Sequence, residues 1–235
     1  MKILKTFVAA SLAAISLSAS AGIATVYQAS APFTVNSNSD NVVAEHLFPM
    51  TASQDVFVDF SVLFTGTIDA NNFLGLWFGY DAPGTSNDKN IAGSHTDGPN
   101  IGVKTQVGSG ADLFVRNTGT DASWLTGSNI TPGQTYHLFA HLYKSIGSAT
   151  YNRFDAWLNP TAGEIASLTG ADATSTLNSG MTAINAFGFR SANLNQDAIT
   201  VSGLTIQAVP EPGALALVGL GLAGLMVAAR RRQSA

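Results

Sequence analysis

From Val56 to Thr65 the chain alternates. Val56, Val58, Phe60, Val62 and Phe64 are apolar, and Phe57, Asp59, Ser61, Leu63 and Thr65 between them are mixed. A period of two puts the first set on one face of an extended strand, so the pattern predicts a strand with one side turned to a core. Further β-rich runs occupy residues 73–80, 101–107, 112–117, 135–144, 151–158, 184–190 and 199–208. Turn-forming stretches separate them: Asp81-Ala82-Pro83-Gly84, Asp97-Gly98-Pro99, Gly108-Ser109-Gly110, Thr131-Pro132-Gly133 and Asn159-Pro160. Many short strands divided by Gly and Pro predict an all-β, antiparallel β-sandwich or jelly roll. Residues 161–177 include Gly163, Gly170 and several threonines, which disfavour a long helix, so this stretch reads as a crossing loop with one helical turn.

The two ends follow a different pattern. Residues 213–229 are seventeen residues without a charge, and as a helix they would span about 25 Å, the short end of the range for a single transmembrane helix. Pro210 and Pro212 cannot sit inside a helix and mark its entry, while Arg230, Arg231 and Arg232 form a basic stop that favours a cytoplasmic C-terminus. At the other end, Lys2 and Lys5 precede an apolar stretch over residues 6–17, and Ala19-Ser20-Ala21 supplies the small residues that a leader peptidase reads. The expected organisation is a signal peptide over residues 1–21, cut after Ala21, a sandwich domain over 22–209 and a tail over 210–235. The order of Pro210-Glu211-Pro212, apolar helix and arginines resembles the PEP-CTERM sorting signal of bacterial exported proteins. That resemblance implies an exosortase-type enzyme that recognises Pro210, Glu211 and Pro212, with Glu211 as a recognition group, and a protein held briefly in the inner membrane before reaching the cell surface or extracellular matrix.

Between the ends lie 188 residues, enough for one domain with a full core. Fourteen acids stand there against six Lys and Arg, a net charge of about −8 with His neutral. So acidic a domain is unsuited to nucleic acid, whose binding rests on neutralising phosphates. There is no cysteine, which removes disulfides and thiolate metal sites and leaves stability to the core.

Three pieces follow one another as in exported proteins with a concanavalin-like domain: residues 73–80 (FLGLWFGY), 101–104 (IGVK) and 113–116 (LFVR). Thr135-Tyr136-His137-Leu138 with Phe154-Asp155-Ala156-Trp157-Leu158-Asn159-Pro160 is similar to the paired strands of laminin-G and concanavalin-like jelly rolls, which close on a short Asn-Pro turn. The resemblance implies a concanavalin-like ectodomain associated with extracellular polysaccharide or biofilm.

The candidate chemistry is sparse. Glycosidases need two carboxylates roughly 5 to 10 Å apart; the domain has only Glu45 and Glu164, far apart, and Asp55 and Asp59 on one strand would stand about 13 Å apart. Tyr143-Lys144, Gly147 and Tyr151-Asn152 resemble a strand of jelly-roll alginate lyases with the spacing too long, leaving Tyr151 and His141 as the conceivable acid and base of a polysaccharide lyase. His137 and His141, four apart on a strand, would also lie about 13 Å apart and cannot share one ion; His46 and His95 are isolated. Resemblance to laminin-G domains makes Ca²⁺ the metal to consider at Asp81, Asp88 and Asp97; no other cofactor is expected. Of the three tryptophans, Trp77 and Trp157 lie in apolar strand contexts and read as core, whereas Trp124 sits in a polar stretch and is the candidate for stacking on a sugar ring. The favoured expectation is a non-enzymatic surface protein.

Overall fold

The alternation from Val56 to Thr65 belongs to an unusually long strand. The computed structural model describes residues 22–37, 39–80, 98–106, 108, 110–118 and 121–210. Twelve strands run through them: β1 (Ala24–Gln28), β2 (Phe33–Val35), β3 (Ser39–Thr65), β4 (Phe73–Gly79), β5 (Asn100–Lys104), β6 (Leu113–Arg116), β7 (Ser123–Trp124), β8 (Thr135–Tyr143), β9 (Arg153–Leu158), β10 (Ala173–Ser175), β11 (Ile184–Ala192) and β12 (Ala198–Pro210). The first half of β3 pairs with β11 (Val43 with Phe189, Leu47 with Ala186), and its second half lies between β12 and β8. Two leaves therefore share one strand. The first runs β1–β12–β3–β8–β9–β10, with β2 also beside β12, and the second runs β3–β11–β4–β5–β6–β7. Every pairing between these strands is antiparallel.

One register row crosses the whole first leaf: Ala24, Ala208, Val56, Leu142, Phe154 and Ser175 are successive partners. Alternate residues of each strand then point inward. Val56, Val58, Phe60, Val62 and Phe64 are buried in a core that also takes Leu74, Leu76 and Phe78 from β4, Ile101 and Val103 from β5, and Phe187 and Phe189 from β11. The leaves touch through aromatic edges: Phe78 and Phe154 have ring centroids 6.1 Å apart, Phe33 and Phe189 5.1 Å, and Tyr27 and Phe187 4.7 Å. Ser175 of β10 ties the leaves together, its hydroxyl accepting from the Asn117 backbone N–H and its carbonyl from the Asn117 side chain. Each large apolar side chain buried this way contributes about 1.5–3 kcal/mol, and without disulfides this burial carries the fold.

All the predicted strands form, and the differences have local causes. The run expected over 101–107 ends as a strand at Lys104; Thr105 beyond it bonds to the turn before β4, exchanging backbone hydrogen bonds with Asn71 and Asn72 while its hydroxyl accepts from the Asn72 N–H and donates to the Asp69 carbonyl. The short strands β1, β2, β7 and β10 add to the expected set, and β3 runs back to Ser39. In the crossing segment, α1 (Ala162–Ser167) is a single short helix. It is held by a capping box in which Thr161 Oγ1 accepts from the Glu164 N–H and Glu164 accepts from the Thr161 N–H, which keeps the Glu164 carboxyl below its ordinary pKa. The Asn-Pro turn is also in place: Asn159 adopts φ 50° and its side chain accepts from the His137 backbone.

Candidate functional site

The inner faces fill the core, so chemistry is left to the two outer faces. On the second leaf, strand alternation turns Phe73 and Trp77 outward from β4, Asn100 and Lys104 from β5, Phe114 and Arg116 from β6, and Arg190 and Ala192 from β11. Ladder pairing then sets Trp77 beside Asn100, and Asn100 beside Arg116, while Arg190 pairs with Gly75 and Ala192 with Phe73. Gly75 is required here, since a Cβ at that position would run into the Trp77 indole. The Arg116 guanidinium lies 5.5 Å from the Trp77 ring and 4.9 Å from the Phe114 ring; that of Arg190 lies 5.7 Å from Trp77 and 5.3 Å from Phe73. Two cations thus lie against one indole ring, an arrangement favoured by the ring quadrupole and opposed by their like charge.

Arg116 is only 5% exposed and Arg190 9%. Arg116 Nε donates to Asn100 Oδ1 at 2.7 Å, a neutral acceptor. Burial first, and then the neighbouring charge of Arg190, push the Arg116 guanidinium down to about 10; it stays protonated at neutral pH. These groups line a cavity of about 200 Å³ together with Lys104, Asn71, Phe73 and Asn193. Its described lining offers three cations and two amides but no carboxylate, a donor set suited to an anion. A larger cavity, about 300 Å³, is lined by Tyr80, Ser179, Met181 and neighbouring residues and contains no charged side chain among them.

The outer face of the first leaf is built differently. His137 Nε2 lies 2.6 Å from Asp59 Oδ1. His141 is stacked between Phe57 (4.4 Å) and Tyr143 (4.3 Å), with its Nε2 3.5 Å from Asp55 Oδ1, too long for a hydrogen bond. Tyr143 donates to Asp155 at 3.0 Å, and burial together with that bond raises its phenol pKa. Phe57, Phe139 and Trp157 form an aromatic cluster roofed by Ile165 of α1, and Trp157 Nε1 donates to the Thr169 carbonyl.

The sequence-predicted residues scatter over these surfaces. Trp124 is half-buried on β7, edge-on to Phe114 at 5.9 Å, and so lies on the cationic face. Trp77 and Trp157 are fully buried as expected, but on the two outer faces and not between the leaves. Tyr151 and His141 are not brought together. Tyr151 is fully buried in the inter-leaf core and donates to the Ala52 carbonyl, whereas His141 belongs to the outer face of the first leaf. Glu164 caps a helix. His137 and His141 share a strand face, each beside its own aspartate, and among the described residues no three His, Asp or Glu side chains are grouped to hold a metal. Ala19, Ala21, Glu211, Pro212, Arg230, Arg231 and Arg232 lie outside the described residues, as do Asp81, Asp88, Asp97 and His95. Pro210 ends β12, opposite Ala52 of β3. No described helix is long and apolar enough to cross a membrane, and the apolar segment 213–229 is also outside the described residues. Sequence reasoning missed Lys104, Arg116 and Arg190. The available signal was Phe114-Val115-Arg116, where alternation puts a cation on the same face as the aromatic two residues before it.

No curated protein matches the chain. Solved structures similar to it include alginate lyase Aly36B (14% identity over 74% of this chain and 79% of that one, TM-score 0.44). They also include lectin I of Ulex europaeus (11% identity, 79% and 91%, TM-score 0.44) and a seed lectin of Lotus tetragonolobus (9% identity, 83% and 95%, TM-score 0.45). Residues 208–232 match the family model of the PEP-CTERM protein-sorting motif. The chain therefore carries a PEP-CTERM sorting motif at the point where its last strand ends, and that motif implies processing by an exosortase and membrane-associated sorting toward the cell surface.

Proposed function

We propose that this chain is an exosortase-sorted surface protein whose sandwich holds anionic extracellular polysaccharide without cleaving it, as part of a matrix or biofilm. The observation that carries the binding half is the cavity around Arg116, where Lys104 and Arg190 add two more cations in a domain that is otherwise strongly acidic. The acidic background is screened beyond about 8 Å at physiological salt, so a carboxylate entering the cavity feels the local cations first. Fork-shaped guanidiniums suit the carboxylates of a uronate chain, the Asn71 and Asn193 amides suit its hydroxyls, and Trp124 on the same face offers an edge for a neighbouring sugar ring. The described lining has no carboxylate, imidazole or phenol in position to take a proton, which supports binding over lyase chemistry.

Titrating the purified protein with alginate and with neutral dextran tests this. Binding to alginate alone, weakened in Arg116→Met, is expected; equal binding to dextran would remove the proposal, and unsaturated uronate products would establish the lyase alternative instead. Calcium is a separate question. A rise in Tm on adding Ca²⁺ that disappears when Asp81, Asp88 and Asp97 are changed to Asn would assign the ion to that stretch. For the sorting half, replacing Pro210, Glu211 and Pro212 by alanine should leave the unprocessed mass in the membrane fraction, and unchanged processing would count against recognition at the motif.

A further inference from the structure

A buried guanidinium ordinarily stands beside a carboxylate, because an uncompensated charge out of water is costly. Among the described residues two carboxylates are buried, and both are spent on amide donors. Asp112, four residues before Arg116, accepts from the backbone N–H groups of Gln106 and Ile130 at 2.7 and 2.8 Å. Asp197 accepts from the Thr67 backbone at 2.9 Å and from the Asn72 side chain at 3.3 Å. The position that could carry a counter-ion for Arg116 is its ladder partner on β5, and that residue is Asn100. An aspartate there would have nearly the same shape and would cancel the charge.

Asn100 is 2% exposed, and both ends of its amide are used. Nδ2 donates to the Gly98 carbonyl at 3.0 Å, and Oδ1 accepts from Arg116 Nε at 2.7 Å. Between this bond and the rings of Phe114 and Trp77, 4.9 and 5.5 Å away, the guanidinium has little room to swing. Nε carries only one of the five N–H donors of an arginine. The other four sit on the two Nη atoms. These make no hydrogen bond among the described residues and are not sealed from solvent, so they open on the cavity that Arg116 lines.

We propose, on the reading that the cavity takes the carboxylate of a uronate, that Asn100 is the positioning residue of this site. Its amide oxygen aims Arg116 so that the Nη pair meets the carboxylate end-on, and its lack of charge leaves the charge of the guanidinium to the ligand. Both properties are needed. A carboxylate at position 100 would hold the arginine equally well and neutralise it, whereas an apolar side chain would keep the charge and release the aim.

Asn100→Asp and Asn100→Leu separate the two properties when alginate is titrated calorimetrically at several salt concentrations. Asn100→Asp should weaken binding by at least about tenfold and make its salt dependence shallower, because one cation fewer attracts the polymer. Asn100→Leu should weaken binding by less than about tenfold and keep the salt dependence of the unmutated chain, since the charge persists. Asn100→Asp should also melt no lower than Asn100→Leu, so that the weaker binder is not the less stable fold. Unmutated affinity in either variant, or equal loss in both with an unchanged salt dependence, overturns the positioning role and leaves the anion site standing. Should Asn100→Asp fail to fold, Asn100→Leu decides alone: weaker binding with the unmutated salt dependence supports the role, and unmutated affinity overturns it. Absence of alginate binding by the unmutated chain overturns the anion site and the positioning role with it.

Discussion

The outer faces of the two leaves carry similar residues, aromatic rings interleaved with titratable groups, and they resolve the combination in opposite ways. On the first leaf each histidine stands beside an aspartate, Tyr143 donates to Asp155, and α1 lies over the aromatic cluster. Complementary groups face one another, although His141 Nε2 is buried without a hydrogen-bond partner. On the second leaf two guanidiniums lie over the same indole, Lys104 joins them at the cavity, and the hydrogen-bond partner of Arg116 is a neutral amide. Holding like charges together with little solvent costs stability, a cost that the proposed anionic ligand would offset.

The aromatic floors should behave alike under truncation even though the faces differ. Trp77→Ala and Trp157→Ala each remove a fully buried indole, and each should lower the free energy of unfolding by about 3–5 kcal/mol in urea titrations. If Trp77→Ala cost less than 1 kcal/mol, the second-leaf face would not be the rigid platform described. The sharper contrast comes from the charges. Arg116→Met should lower stability by no more than about 1–3 kcal/mol, since removing a buried cation offsets part of the cost of leaving Asn100 Oδ1 without its donor, while weakening alginate binding by about 1.5–3 kcal/mol, roughly ten- to a hundred-fold, as measured by calorimetric titration. Loss of stability without loss of binding would make Arg116 a structural residue and erase the difference between the faces.

Much of the fold was legible from the chain because burial enforces a period of two. The alternation through Phe60 and Phe64 specified the core side of β3, and Gly- and Pro-rich turns specified where strands end. What the alternation does not carry is partner identity. Asp59 and His137 are 78 positions apart and meet only because β3 and β8 pair in one register, so the sequence offered two isolated histidines and two isolated aspartates. In the same way Arg116 of β6 and Arg190 of β11 are brought together across β5 and β4, which lie between them in the sheet order β11–β4–β5–β6. Trp77 and Trp157 were legible as buried residues but not as outer-face residues, because local apolar context does not say which side of a leaf is covered. The tail was the easiest feature to read, since Pro210-Glu211-Pro212, an uncharged segment and three arginines are local in sequence and need no folding to be recognised.

The first-leaf contacts should have smaller effects, which is itself part of the contrast. Tyr143 has its pKa raised above the ordinary value near 10, by burial and by its bond to Asp155. Above that ordinary value the unfolded chain releases the phenol proton while the native protein keeps it, so the stability this group contributes is present below pH 10 and falls as pH rises toward the native pKa. Tyr143→Phe should therefore flatten the decline of Tm across alkaline pH relative to the unmutated chain.

Smallest of all is the His137–Asp59 pair, whose side chains are 35% and 44% exposed. A double-mutant cycle with His137→Asn and Asp59→Asn should give a coupling of about 0.2–1 kcal/mol that shrinks as salt is raised, because both groups remain largely solvated. A coupling of several kcal/mol that resisted salt would mean that this pair is held in a dry, preorganised setting. The first leaf would then be a second candidate for chemistry, and the distinction between a closed face and an open one would no longer stand.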